Sequence, residues 1–173
     1  CTVFCSFLVQ FVNSQVVTTF VGASSSGSVS ATGTAASVHT PYGIFMSTSG
    51  DIYVCDSGNN LIRKVTSTAV VSTYAGTGVF GSTNGSALAS SFSFPVGICS
   101  DASNNLYVID GSHKIRKITP SGIVSTFAGS GVVGSTDGTG TAASFNGLSG
   151  ICIDASNNIY VCESGGNKIR KIT

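Results

Sequence analysis

The sequence contains little charge and no tryptophan. Only 9% of its 173 residues are charged, and the net charge is +1. A chain so close to neutrality has no strong field to attract nucleic acid or acidic lipid. No apolar run approaches the roughly 18 residues that a membrane-spanning helix needs. We therefore expect neither a nucleic-acid partner nor a membrane partner.

Small residues dominate instead, and they indicate an all-β protein. The chain has 22 glycines, three prolines and many serines and threonines. Short β-branched and aromatic runs separated by such residues are typical of strands joined by tight turns. The length suits one domain, or at most two, with a real core.

The first residues differ in composition from the rest. The stretch CTVFCSFLVQFVNS, residues 1–14, is apolar and contains neither a charge nor a glycine. Val12 and Ser14 stand at the −3 and −1 positions of a signal-peptidase site, which makes Gln15 the first mature residue. We predict that residues 1–14 are the remnant of a signal peptide and that the protein is secreted. A hydrophobic N-terminal strand is the alternative.

The strongest signal is an internal repeat of 53 to 54 residues. Three stretches align from a shared glycine, namely YGIFMSTSGDIYVCDSGNNLIRKVT, VGICSDASNNLYVIDGSHKIRKIT and SGICIDASNNIYVCESGGNKIRKIT. Their anchors Gly43, Gly97 and Gly150 are 54 and then 53 residues apart. Such regular spacing indicates one structural unit that is used three times.

Each repeat divides into four strand-like pieces joined by turns rich in Asn, Asp and Gly, which favour hairpins. The central pieces are apolar at consecutive positions, a pattern of strands buried on both faces. We predict three four-stranded antiparallel blades of a β-propeller, a partial ring, at about residues 43–76, 97–129 and 150–173. A stacked solenoid is the competing fold, although its repeats are usually shorter.

The stretch FSFPVGICSDASNNLYVIDGSHKIRKIT resembles an NHL repeat, with its Pro-x-Gly-Ile entry and Ile-Arg-Lys exit. The preceding VVSTYAGTG is similar to the linker of extracellular and bacterial NHL proteins. The resemblance covers residues 16–173 and implies a propeller, usually six-bladed, that serves in binding or scaffolding. Leu148 replaces the entry proline of the third copy and Glu163 its central aspartate; both replacements are compatible in shape.

All eight basic residues lie in the three exit strands. One interpretation is a ring of positive charge for a polyanion, since some intracellular NHL propellers bind RNA. The other pairs each arginine with the acid across its hairpin, and we favour it because the positions repeat in register. The predicted pairs are Asp56 with Arg63, Asp110 with Arg116, and Glu163 with Arg170.

Four of the six cysteines lie outside the predicted signal peptide, and they fall on two repeat positions. Cys99 and Cys152 share one position, and Cys55 and Cys162 share the other. Across the hairpin Cys152 is expected to face Val161, which argues against a Cys152–Cys162 bridge. We expect buried free thiols, with disulfides as the alternative. No Cys/His spacing indicates a metal site, and no cofactor is predicted.

Catalytic signals are weak. Related six-bladed propellers include lyases and hydrolases, whose chemistry needs a metal or an acid–base set. The two histidines, His39 and His113, are not at equivalent positions, and Asp101 and Asp154 fit turn positions. We therefore favour a non-enzymatic extracellular module that binds a protein or a glycan.

Asn84-Gly85-Ser86 is a possible N-glycosylation site. A fragment of a propeller lyase or hydrolase is an alternative.

The segment VVTTFVG at residues 16–22 matches the fourth strand of the other units, VVSTYAG and IVSTFAG. We predict that it is a closing strand for a blade that lacks one. Three blades are too few to close a ring, since propellers need about four to eight. We expect the missing blades in a longer chain or in a second copy joined head-to-tail. Strand donation through the open edges into a filament is the third possibility.

Overall fold

The computed structural model describes residues 15–173. Its twelve strands are β1 Pro41–Met46, β2 Ile52–Asp56, β3 Leu61–Val65, β4 Val71–Ala75, β5 Gly85–Ser86, β6 Gly97–Ser100, β7 Leu106–Asp110, β8 Lys114–Ile118, β9 Ile123–Ala128, β10 Leu148–Ile153, β11 Ile159–Glu163 and β12 Lys168–Ile172. Short 3-10 turns lie at Gly33–Ala35, Ser57–Asn59, Ala87–Ala89 and Gly140–Ala142. The all-β prediction is confirmed.

Each repeat forms one antiparallel sheet, a blade. The first blade has the order β1-β2-β3-β4 and the third has β10-β11-β12. In the second, β6 to β9 form the same meander and the short β5 is added outside β9. The blades therefore contain four, five and three strands in the described chain, because a loop strand joins the second and no fourth strand pairs with β12.

The blades pack face to face, with β6 lying between β1 and β10. One apolar cluster joins the first blade to the second around Ile62 and Val108, and another joins the second to the third around Ile115 and Val161. Gly97 permits this close approach, because a Cβ there would lie 3.1 Å from carbons of Ile109 and Ile151. This radial packing is that of a β-propeller segment.

Burial differs sharply between the blades. All five residues of β7 in the second blade are buried, whereas β1 and β12 are mostly exposed. The second blade is covered on both faces, while each outer blade has one neighbour. In residues 15–173 the only helical segments are the short 3-10 turns, and none has the length or apolarity to cross a membrane.

The connections between blades repeat as closely as the blades do. We call residues 23–40, 77–94 and 130–147 the inter-blade loops. The amides of Gly22, Gly76 and Gly129 donate to the carbonyls of Gly33, Ala87 and Gly140 at the same place in each. Phe92 and Phe145 are fully buried against the following blade and Val38 is partly buried at the equivalent position. The loops are thus ordered parts of the packing.

Residues 16–22, the predicted closing strand, form no strand here. Residues 15–20 are exposed, and the repeated path of the first inter-blade loop begins at Gly22. The closing-strand assignment therefore stays a prediction. The predicted signal-peptide remnant, residues 1–14, lies outside the described residues.

Candidate functional site

The structure brings each predicted arginine and acid together across its hairpin. The shortest nitrogen–oxygen distances are 3.2 Å for Arg63 and Asp56, 2.9 Å for Arg116 and Asp110, and 2.6 Å for Arg170 and Glu163. The first two pairs have fully buried side chains. Burying two charges costs more than their attraction returns unless further hydrogen bonds satisfy them.

Those further hydrogen bonds come from the inter-blade loops. Each guanidinium also donates to a side-chain oxygen at one repeat position: Ser30 Oγ at 3.0 Å, Asn84 Oδ1 at 2.8 Å and Asp137 Oδ1 at 2.6 Å. This third partner was not predicted, although the three residues occupy one position after the Gly-Ser motif that the loops share. The arginines thus tie each loop to the following blade, and those of the first two blades are too deeply buried to meet a polyanion.

Asn84 therefore has a structural contact besides its place in the glycosylation motif. Its side-chain oxygen accepts from Arg116 and, at 3.4 Å, from the hydroxyl of Thr126. The residue is exposed, directly before β5. Exposure keeps the site accessible to a glycan, and glycosylation of Asn84 stays a prediction.

Asp101 and Asp154 hold the turns between the first and second strands of their blades, as predicted. One oxygen of Asp101 accepts from the amides of Ser103 and Asn105, and the other from the Asn105 side chain and the Tyr107 hydroxyl. Burial opposes ionisation, but these hydrogen bonds outweigh it and keep the pKa of Asp101 below its usual value. Burial and this carboxylate raise the pKa of Tyr107 to about 12.

The four described cysteines are all free thiols, as expected, but only two are buried. Burial raises the pKa of Cys55 and of Cys99 to about 12. Cys152 and Cys162 are exposed, which corrects the expectation that all four are buried, because within residues 15–173 no blade covers this face of the third sheet. Cys152 pairs with Tyr160 and not, as expected, with Val161, because the turn at residues 154–158 sets Ile153 opposite Ile159 and the register continues from there.

The two histidines lie in different repeats, one in a loop and one in a hairpin turn. His39 precedes β1, and its backbone amide donates to Asp56 at 2.7 Å. His113 occupies the turn before β8 at a φ of 60°, equivalent to Asn60 at 54° and Asn167 at 51°. Within residues 15–173 no group of three or more His, Cys, Asp or Glu side chains is arranged to hold a metal ion.

Exposed apolar side chains recur on the second and third inter-blade loops. We call Val79, Phe80, Phe94, Val132 and Val133 the loop-end surface; all five are exposed. The rings of Phe80 and Phe94 pack edge to face with centroids 5.7 Å apart. In the first loop the positions equivalent to Val79 and Phe80 are serines. Exposed apolar residues at these two positions are therefore confined to the second and third loops.

Phe94 has an unusual backbone conformation for its size. Its φ is 44°, a left-handed value that is rare for a bulky side chain, and its equivalents are Thr40 and Gly147. The Phe94 amide donates to Asn60 Oδ1 at 3.0 Å. The side chain nevertheless stays 54% exposed. Sequence analysis missed Phe94; Gly147 at the same repeat position was the available signal.

Several solved structures share this fold. A protein of unknown function from Bacteroides thetaiotaomicron is 27% identical with a TM-score of 0.78, over 92% of this chain and 40% of its own. An auxiliary nutrient binding protein from the same organism is 24% identical with a TM-score of 0.67, over 75% and 36%. A virginiamycin B lyase from Staphylococcus aureus is 25% identical with a TM-score of 0.53, over 77% and 38%.

No protein-family model matches the chain, and neither does any curated protein sequence. The chain spans 36–40% of the length of the three solved structures. Their likeness confirms the β-propeller fold, while the assignment to the NHL family stays a prediction. Both a binding protein and an enzyme occur among them, so fold alone does not decide the activity.

Proposed function

We propose that the chain is an extracellular, non-catalytic binding module of NHL-repeat type that binds a protein ligand through its loop-end surface. The observation that carries this proposal is Phe94, a large aromatic residue held at positive φ while its side chain faces solvent. Strained conformations of this kind cost about 1–3 kcal/mol and concentrate at ligand-binding sites.

The chemistry of the loop-end surface favours a protein over a glycan. Phe80 and Phe94 form an aromatic pair on the second loop, which also exposes Val79, and Val132 and Val133 are exposed on the third loop. Aromatic anchors with aliphatic neighbours are typical of the centres of protein–protein interfaces. Glycan recognition depends on several polar donors and acceptors, which these five side chains do not supply.

The repeated ionisable groups support a binding role as well. The three arginines and their acids hold loops to blades, and Asp101 and Asp154 hold turns. A catalytic acid or base must exchange protons with a substrate, which groups committed to internal hydrogen bonds do poorly. The nutrient-binding neighbour offers a precedent for binding on this fold.

An array of secreted proteins and glycans tests the proposal with three versions of the chain. We expect a protein ligand to bind the wild type, and Phe80→Ser with Phe94→Ser to weaken its binding about 100-fold, as loss of two anchors implies. The matched control is Ile123→Ser, an exposed apolar residue at the opposite end of the second blade, which should bind normally.

The lyase alternative receives a direct test in the same preparations. We expect a streptogramin B antibiotic to remain intact when incubated with the wild-type chain and Mg²⁺. Breakdown of the antibiotic would favour an enzyme. Equal ligand binding by the wild type and the double phenylalanine variant would show that the loop-end surface does not bind the ligand.

A further inference from the structure

Asn84 and Gly85 form an exposed Asn-Gly pair on the second inter-blade loop. In such a pair the backbone nitrogen of the glycine can attack the side-chain carboxamide, because glycine has no Cβ to obstruct the approach. This part of the loop is held to the blade by the two-residue β5, in which Gly85 lies opposite Val124. A strand so short, at the edge of its sheet, opens at a low cost in free energy.

The Asn84 carboxamide is hydrogen bonded through its oxygen. Oδ1 accepts from Arg116 Nη2 at 2.8 Å and from the Thr126 hydroxyl at 3.4 Å. A guanidinium on a carbonyl oxygen withdraws electron density from the carbon, and it stabilises the negative charge that forms on the oxygen when a nucleophile adds. Because the Arg116 side chain is fully buried, this charge acts where screening by water is weak. These contacts favour nucleophilic attack at Asn84 Cγ.

The third repeat has an aspartate at the equivalent position. The motif GSTNG, which contains Asn84, returns as GSTDG, which contains Asp137. Asp137 Oδ1 lies 2.6 Å from Arg170 Nη2. This is the contact that Asn84 makes with Arg116. An aspartate at position 84 therefore fits the same place, and it would replace a hydrogen bond from a neutral amide with an ion pair.

We propose that Asn84 is a site of spontaneous deamidation promoted by Arg116, through which the second loop acquires the aspartate that the third repeat encodes. The Gly85 nitrogen bonds to Asn84 Cγ, the bond from Cγ to Nδ2 breaks, and the proton lost by Gly85 leaves with Nδ2 as ammonia. Water then opens the succinimide ring that has formed. Attack of water at Cγ gives aspartate, and attack at the backbone carbonyl carbon gives isoaspartate.

Arg116 also determines which product dominates. Oδ1 remains on Cγ in the succinimide, so the guanidinium at this oxygen activates Cγ a second time when water attacks. The folded protein should therefore give mainly aspartate. In the unfolded chain Arg116 is absent from the site, the backbone carbonyl is the more reactive of the two, and isoaspartate should dominate.

A second Asn-Gly pair, Asn146-Gly147, is the matched control within the same chain. It lies in the third inter-blade loop, where Asn146 is held through the other end of its carboxamide: Nδ2 donates to the carbonyl of Gly165 at 3.0 Å. Among residues 15–173 no arginine or lysine donates to the Asn146 oxygen. The two sites share the reacting dipeptide and differ in the contact on which the proposal depends.

Mass spectrometry of peptides from the full chain, produced without N-glycans, follows both sites in the same molecules during incubation at neutral pH. In the folded chain we expect Asn84 to convert about tenfold faster than Asn146 and to give more aspartate than isoaspartate. In urea the two sites should convert at similar rates and give mainly isoaspartate. If Asn84 converts no faster than Asn146 in the folded chain, or gives mainly isoaspartate there, the proposal is wrong.

Asn84→Asp tests the product directly. This variant should unfold at the temperature of the wild type or above it, since its carboxylate pairs with Arg116 as Asp137 pairs with Arg170. The matched control is Asn84→Ala, which removes the contact and should unfold at a lower temperature. An Asn84→Asp variant no more stable than Asn84→Ala would also overturn the proposal, because aspartate would then not take the place that Asp137 occupies.

Discussion

At the scale of single residues, the internal ion pairs explain why an arginine recurs at one position of three strands in a nearly neutral protein. Arg116 donates to Asp110, to the backbone carbonyls of Ser91 and Thr83, and to Asn84. These acceptors satisfy both terminal nitrogens of the guanidinium, while its buried Nε has no partner in the described residues. The arginine is fully buried, so it is part of the core and not of a binding surface. The arginine and its acid recur at equivalent positions of each repeat because each blade packs against its loop in the same way.

Arg116→Ala should destabilise the protein by about 3–5 kcal/mol, because it leaves the buried Asp110 carboxylate without its partner. Chemical denaturation measures the loss. Lys117→Ala, one residue along β8 and partly exposed, should cost about 1 kcal/mol or less. Unchanged stability of Arg116→Ala together with lost binding to a polyanion such as heparin would mean that the arginine serves recognition.

The cysteines provide a second residue-scale prediction. At pH 7 and high dilution, Cys152 and Cys162 should react with iodoacetamide while Cys55 and Cys99 stay unmodified. Two of the thiols are buried, and burial raises their pKa to about 12, so little reactive thiolate exists at neutral pH. Mass spectrometry of the peptides shows which sites react. Modification of Cys55 before Cys162 would contradict the packing of the first two blades.

At the scale of elements, the inter-blade loops are as regular as the strands. Buried or nearly buried serines, Ser37, Ser91 and Ser144, accept hydrogen bonds from the amides of Val29, Thr83 and Thr136 at 2.9–3.0 Å. The glycine that opens each Gly-Ser motif lies against this hydroxyl. A Cβ at Gly81, for example, would lie 2.6 Å from Ser91 Oγ.

Gly81→Ala should therefore destabilise the protein by about 1–2 kcal/mol, because the serine must give up its hydrogen bond. Ser91→Ala should cost a similar amount for the same reason. The double variant should cost little more than either single change, since the clash and the hydrogen bond disappear together. Strictly additive losses in thermal or chemical unfolding would show that the glycine and the serine act independently.

The blades were predictable from the sequence, but much of the loops was not. Glycines at 43, 97 and 150 reveal the repeat, as do Tyr53, Tyr107 and Tyr160 at the same spacing, and apolar runs such as LYVID predict strands buried on both faces. The loops look nondescript because glycine and serine have no strong propensity, and their order comes from hydrogen bonds such as Thr83 to Ser91. Phe94, at positive φ, donates its amide to Asn60, which is 34 residues away, a contact that no local pattern predicts.

At the scale of the whole molecule, the three blades share one strand arrangement and differ in how much of each is buried by its neighbours. The second blade lies between two neighbours, while the outer blades each present one apolar face, with Ile44 on one side and Ile169 on the other. The repeat does not predict this difference in burial, because equivalent positions of the three blades carry similar residues. It arises only when the blades are placed side by side.

Hydrogen–deuterium exchange resolved by strand, on the dilute and monomeric chain, tests the central claim that the repeats pack as adjacent propeller blades. Exchange slows where a strand is covered on both sides. The account predicts that β7 and β8 exchange most slowly and that β1 and β12 exchange fastest, although the three repeats are nearly alike in sequence. Equal exchange in corresponding strands of all three blades would contradict this claim, because repeats that exchange alike do not cover one another.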